Sequence, residues 1–208
     1  MNNKIENNKT LNNIFIFDWD DTLYPTSFHK NKIIDINQYE LYFLELDKSI
    51  SSLFQKLIIY GKIVIVSNAT MSWINTCLTK LPHTSKFKID NNINIFSTRD
   101  IFNKTNIQYV DWKKIVFKNI IDNIILTHDK NNYLNIISFG DADFEYYALI
   151  NLHEYLSNIN HINCYLKNIR FIANPTCKQV VEQIDLVHYN ILNIIDKKHY
   201  VDMNILPM

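Results

Sequence analysis

The stretch NIFIFDWDDTLYPT, Asn13 to Thr26, runs four apolar residues, Ile14 to Phe17, straight into carboxylates at Asp18, Asp20 and Asp21. The apolar run reads as a buried strand and the acidic run as the loop at its end. Inside a core, such a cluster would be costly in desolvation and mutual repulsion, so it belongs where a cation and a phosphate-like ligand come to meet it.

Outward from this stretch the same arrangement recurs. Ile63 to Val66 is an unbroken β-branched run, the pattern of a strand covered on both faces, and it ends at Ser67-Asn68-Ala69. Ile93 to Phe96 is a weaker strand ending at Ser97-Thr98-Arg99-Asp100, and Leu134 to Phe139 ends at Gly140-Asp141-Ala142-Asp143. A last strand is expected over Ile169 to Ala173. Helical periodicity fills the intervals: Asn37 to Tyr60, Thr70 to Leu81, Tyr109 to Leu126, a helix from about Asp143 to Leu156, and one capped by Thr176 that runs to Ile195. In the third of these, Trp112, Ile115, Val116, Ile120 and Ile124 share a stripe, with Lys113, Lys114 and Lys118 off it. Residues 1–12 read as a flexible polar tail. Loops are expected over Asp18 to Lys32, where Pro25 excludes an immediate helix, and over Pro82 to Asn92. Gly61 reads as the C-cap of the long helix.

Strands alternating with helices predict an α/β protein: a single domain over residues 1–208, built as a Rossmann-like three-layer α/β/α sandwich with a central, mostly parallel sheet and right-handed crossovers. Ligands in such a sheet bind beyond the carboxyl ends of the strands. Asp18, Ser67, Arg99 and Asp141 each follow a strand and so converge despite their separation in the chain.

The totals narrow the function classes. A chain of 208 residues can bury a sizeable core unaided. Lys and Arg number 21 against 21 Asp and Glu, so bulk charge favours neither nucleic acid nor a membrane surface. Cys77, Cys164 and Cys177 lack CxxC spacing, which argues for a reducing compartment and against a disulfide framework or zinc site. No apolar run approaches the roughly 20 residues of a spanning helix, and the chain reads as cytoplasmic. The composition holds 34 Ile and 29 Asn but only 2 Gly, the bias of an AT-rich coding sequence. The Asn runs are then loop filler, and Gly61 and Gly140 become informative. The His residues have no ligand-like spacing and read as structural, and Tyr146-Tyr147 and the Trp residues read as core rather than cofactor contacts.

In order along the chain, Asp18-Trp19-Asp20-Asp21-Thr22-Leu23, Ser67 behind a hydrophobic strand, a helical lysine at 113 or 114, and Gly140-Asp141 with Glu145 resemble the four motifs of the haloacid dehalogenase-like hydrolases. The resemblance covers Ile14 to Glu145, with the DxDxT block and the later GDxxxE as its specific parts. Thr22-Leu23-Tyr24-Pro25 is similar to the small magnesium-dependent phosphatase branch. One departure stands out: Glu145 occupies the place where the family commonly has a second Asp, with Asp143 as another candidate.

The resemblance implies a Mg²⁺-dependent phosphatase, and the residue types agree with that chemistry. Carboxylates at i and i+2 on an extended loop point the same way, so Asp18 and Asp20 can reach opposite sides of one phosphorus atom. Asp18 would attack in line to form an aspartyl-phosphate; Asp20 would protonate the leaving oxygen and later take a proton from water. The Asp18 carboxylate, Asp20 carbonyl and Asp141 carboxylate are the expected Mg²⁺ ligands. Ser67, Asn68 and Lys113 would hold phosphoryl oxygens. Lys113 is preferred to Lys114 because it follows Trp112, whose burial would set the helix rotation; Thr22 and Glu145 would support the site. An acid at position 20 points to phosphate esters rather than carbon–halogen bonds.

The gaps between motifs hold no cap domain. An open site of that kind suits a phosphoprotein, a nucleic-acid end, or a small phosphate ester sealed in by another subunit of an oligomer, with Trp19, Tyr24, Phe28 and His29 on its rim. The alternative reading is a phosphate-binding or scaffolding protein that keeps the fold without turnover, for which Glu145 is the sequence hint.

Overall fold

In the computed structural model, which describes residues 11–31, 36–126, 133–159 and 162–206, the apolar runs lie side by side in one six-stranded sheet. Strand β1 (Leu11–Phe17) is flanked by β2 (Gly61–Ser67) and β4 (Tyr133–Gly140); β3 (Asn94–Ser97) lies beyond β2, and β5 (Asn163–Arg170) and β6 (Val201–Asn204) lie beyond β4. Every pairing is parallel, in the order 3-2-1-4-5-6. Phe17, the last residue of β1, aligns with Ile65 on one side and Phe139 on the other, so β2 runs two residues and β4 one residue beyond the end of β1.

Alternation along these strands sorts the core into two layers. Phe15, Phe17, Ile63, Ile65, Ile137 and Phe139 face helices α2 (Ile36–Leu57), α3 (Met71–Leu78) and α8 (Cys177–Ile195). Ile14, Ile16, Val64, Val66, Leu134 and Ile136 face α6 (Trp112–Ile125) and α7 (Asp143–Asn158). Short helices α1 (Thr26–Asn31), α4 (Pro82–Asp90) and α5 (Thr98–Phe102) complete the connections. The protein is therefore a three-layer α/β/α sandwich, with its central strands buried on both faces, as their unbroken apolar runs require.

Several local expectations fail for identifiable reasons. Pro25 leads directly into α1, and Pro82 opens α4 at its first position. A proline's fixed φ suits a helix start, where its missing N–H costs nothing. Gly61 is no C-cap; it is the first residue of β2, its φ is not positive, and a Cβ there would stand 2.7 Å from the carbonyl carbon of Asn13. Close approach of β1 explains that glycine. Strand β5 ends where it was expected to begin, because the polar pair Lys167-Asn168 hides a buried segment; β6, short and half polar, has no sequence signal. Leu11 and Asn12 already belong to β1; the rest of the predicted tail and Lys32 lie outside the described residues.

Handedness also departs from uniformity. The β4–α7–β5 and β5–α8–β6 units step the same way along the sheet but cross opposite faces, so the last crossover has the opposite hand to the one before it. Docking the long apolar stripe of α8 onto α2, at the expense of a four-residue edge strand, accounts for it. Among the described residues no helix is long and apolar enough to cross a membrane.

Candidate active site

The strand order reverses at β1, which places a crevice at the carboxyl ends of β1 and β4. The backbone of Asp18 donates to Phe139 O at 2.9 Å and carries the β1–β4 ladder one residue into the loop. Beyond it the chain turns tightly: Leu23 and Tyr24 donate to Trp19 O at 3.0 and 2.9 Å, and Asp21 adopts φ 55°, a left-handed conformation that Asp tolerates. Trp19, Leu23 and Tyr24 are buried and anchor this turn in the core. Trp19 and Tyr24 are therefore not rim residues as the sequence suggested; Phe28 and His29 are half-buried.

The acids of the turn separate by role. Asp21 accepts from the Ser27 backbone at 2.9 Å and from its hydroxyl at 2.5 Å, which fixes the start of α1. Asp20 is half-exposed, and its Oδ1 accepts from the Thr26 hydroxyl and from Trp73 Nε1 at 3.0 Å. Asp18 is buried and accepts from Lys113 Nζ at 2.5 Å. Thr22 is fully buried, and its hydroxyl oxygen has no partner among the described residues.

Lys113 lies on no solvated face. It is the second residue of α6, and helical side chains lean toward the N-terminus, so it extends past the helix start to the strand ends. There it is 3% exposed and donates to both Asp18 and Glu145 Oε1. Glu145, in the first turn of α7, is 2% exposed; its Oε2 is buried with no partner among the described residues. The space for Glu145 comes from Gly140, where a Cβ would stand 2.5 Å from Glu145 Cδ. The GDxxxE pattern is thus a steric pair as well as a charge cluster.

Electrostatics at the crevice are unbalanced. Burial pushes the Asp18 carboxyl well above the usual carboxylate range; Lys113 opposes this, while Glu145 and Asp141 add to it. Burial, then the charges of Glu145 and Asp21, push Asp141 up to about 7. Burial works against the Lys113 charge, but Asp18 and Glu145 outweigh it and hold the ammonium above its ordinary value. One ammonium thus serves Asp18, Glu145 and the adjacent Asp141, which leaves a carboxylate surplus that a hard cation would neutralise. No three carboxylate, imidazole or thiol side chains among the described residues close round one point as a metal cage. The expected ligand set needs only two carboxylates, Asp18 and Asp141, with the backbone carbonyl of Asp20, and these are the hard oxygen donors that Mg²⁺ takes.

The end of β2 supplies neutral donors. Ser67 is fully buried, and its Oγ accepts from Ala69 N at 3.0 Å, leaving the hydroxyl hydrogen to donate. Asn68 Oδ1 accepts from the Thr98 hydroxyl at 2.5 Å, which leaves the amide nitrogen as its donor. The whole turn is held by the end of β3: Ser97 Oγ donates to Ala69 O at 2.6 Å, Arg99 Nε donates to Asn68 O at 3.0 Å, and Asp100 Oδ2 accepts from Met71 N at 2.7 Å. Arg99 is a brace for this turn rather than a member of the cluster.

Two alternatives fall away from the cluster. Lys114 is 30% exposed and pairs with Asp111 at 2.8 Å, and Asp143 is 64% exposed and pairs with Arg170 at 2.9 Å. Lys113 is in direct contact with Asp18 and Glu145, with Asp141 close enough to raise the Asp18 carboxyl, while Ser67 and Asn68 stand at the neighbouring strand end. Sequence reasoning missed Thr26 and Trp73, the partners of Asp20; nothing in their spacing marks them, because one lies beyond a proline and the other on a helix after a different strand. No protein-family model and no curated protein matches this chain.

Proposed function

We propose that this protein is a haloacid dehalogenase-like phosphatase that hydrolyses a phosphate monoester with Mg²⁺ through an aspartyl-phosphate. The observation that carries the reading is the contact of Lys113 with both Asp18 and Glu145 at the switch point of the sheet, beside the raised carboxyl of Asp141. A buried surplus of carboxylates around one ammonium is costly for a fold and useful to a reaction that needs a cation and a nucleophile together.

The residues divide the work as follows. An Asp18 oxygen attacks phosphorus in line; the bond to the ester oxygen breaks with its electron pair on that oxygen, and Asp20 supplies the proton that releases the alcohol. Asp20 then removes a proton from water, the water oxygen bonds to phosphorus, and the bond to Asp18 breaks to return its carboxylate and free phosphate. Lys113 and the donors of Ser67 and Asn68 face the phosphoryl oxygens, where negative charge grows. Mg²⁺, held by Asp18, Asp141 and the Asp20 carbonyl, would neutralise the surplus carboxylate charge and polarise a phosphoryl oxygen. Gly140 and Glu145 keep Lys113 aimed at the site. The substrate class is a phosphoprotein or a small phosphate ester, and the free thiols of Cys77, Cys164 and Cys177 agree with a cytoplasmic setting.

Hydrolysis of p-nitrophenyl phosphate, measured with Mg²⁺ and with excess EDTA, tests this reading. Turnover should require Mg²⁺ and fall by about 10³-fold or more in Asp18→Asn. A purified, folded protein with no metal-dependent turnover over a broad panel of phosphate esters would favour the phosphate-binding alternative and overturn the phosphatase reading.

A further inference from the structure

Asp20 is held by side chains from two other elements. Its Oδ1 accepts from the hydroxyl of Thr26, the first residue of α1, and from the indole N–H of Trp73, in the first turn of α3, at 3.0 Å. A carboxyl oxygen that accepts two such bonds has both lone-pair directions engaged, so a proton on Asp20 resides on Oδ2. No protein partner of Oδ2 stands among the described residues, and Asp20 itself is half-exposed, two residues beyond Asp18 in the same turn.

Trp73 is itself fixed in place. Thr70 caps α3 by accepting from the Trp73 backbone at 3.2 Å. The indole meets Tyr24 edge-on at 6.0 Å and His29 at 5.7 Å, and the Lys30 ammonium lies 5.5 Å from its ring centre. Helix α3 begins four residues after Ser67, so the segment that presents phosphoryl-binding donors also carries the indole that orients the acid.

We infer that Trp73 is a positioning residue that, together with Thr26, turns Asp20 so that Oδ2 delivers its proton to the leaving oxygen. The inference rests on the phosphatase reading and adds to it a residue that none of its four motifs contains. In the step concerned, the ester P–O bond breaks, its electron pair goes to the ester oxygen, and the Oδ2 proton transfers to that oxygen to give the alcohol and the Asp20 carboxylate. An ester whose leaving group is stable as an anion needs this proton little; one with a basic leaving group needs it strongly.

The test compares phenyl phosphate with p-nitrophenyl phosphate, alike in shape and different in leaving-group basicity, through kcat/KM, which reports steps up to loss of the alcohol. Trp73→Phe, which keeps a ring and loses the N–H, should lose about 10-fold on phenyl phosphate and less than about 2-fold on p-nitrophenyl phosphate. Thr26→Val should show the same selectivity, and the double variant a larger one. Thermal midpoints identify a variant that has failed to fold, in which case the other variant decides. Equal losses on both esters, or none on either, with the parent protein active, overturn the positioning role alone. A parent protein inactive on both overturns the phosphatase reading and this inference with it.

Discussion

Lys113 and Lys167 are both buried, and they are held in opposite ways. Lys167, on β5, donates to the carbonyls of Ile194 and Ile195 at 2.7 and 2.8 Å, closing the C-terminal end of α8; Asn135 donates to Ile195 O at 3.1 Å and to Asn13 Oδ1 at 2.7 Å. Its partners are dipoles that a helix end leaves unpaired and that favour a cation there. Burial pushes Lys167 down to about 8, with Asp196 opposing and Lys197 adding to the fall. Lys113 meets carboxylates instead, and they hold it above its ordinary value despite burial. Burial of a lysine therefore says little about function. A mismatch between the charges that surround it says more, because a fold can cap a helix with one ammonium but gains nothing from crowding carboxylates around another.

The sharpest way to break this comparison is to remove each ammonium. Lys113→Met should lower kcat/KM by about 10²-fold or more, while Lys167→Met leaves kcat/KM within about 2-fold and lowers the thermal midpoint. Lys114→Ala, beside Lys113 but outside the cluster, should leave both unchanged. Equal catalytic losses at 113 and 167 would make both lysines structural. Next in size is Gly140→Ala, which drives a methyl group into Glu145; a loss of about 1–3 kcal/mol in denaturant unfolding together with reduced turnover is expected. Stability lost with turnover intact would mean that Glu145 does not aim Lys113.

The smallest effect is a pH dependence with opposite signs at the two sites. Without metal, folded Asp141 titrates near 7 against an ordinary 3.8, so the folded state binds more protons; the stability this contributes is complete below about pH 4 and is lost as pH rises through 7. Folded Lys167 titrates near 8 against an ordinary 10.5, so its contribution is complete above that ordinary value and is lost as pH falls through 8. Thermal midpoints measured from pH 5 to pH 10 should therefore fall toward neutrality and recover in the alkaline range. Asp141→Asn should reduce the first limb, to which the raised Asp18 carboxyl also contributes, Lys167→Met should flatten the second, and Mg²⁺ should reduce the first alone. A first limb unchanged by Mg²⁺ would count against Asp141 as a ligand.

Much of the sheet was legible because β1, β2 and β4 are covered on both faces and leave unbroken apolar runs, and because each ends in a polar cluster that only a strand end tolerates. Lys113 could be preferred to Lys114 because it follows Trp112, but not placed: it lies off the apolar stripe, and only the N-terminal lean of a first-turn side chain brings it to Asp18. Glu145 could be noticed as a departure, yet its fit depends on the missing Cβ of Gly140 across a tight contact. Buried polar residues hid β5, Pro25 reads as excluding the helix it leads into, and Pro82 reads as part of a loop where it opens α4.

Local pattern by itself determined the α/β class, the strand ends that carry polar clusters, and the pair Asp18 and Asp20 just beyond the first of them, since periodicity and charge clustering are properties of neighbouring residues. Only the tertiary structure decided that Asp21 secures the start of α1, that Lys113 and not Lys114 meets the carboxylates, and that Thr26 and Trp73 hold Asp20. Those outcomes depend on which side chains from distant segments arrive at one place, and distance in the chain carries no trace of that until the sheet has brought them together.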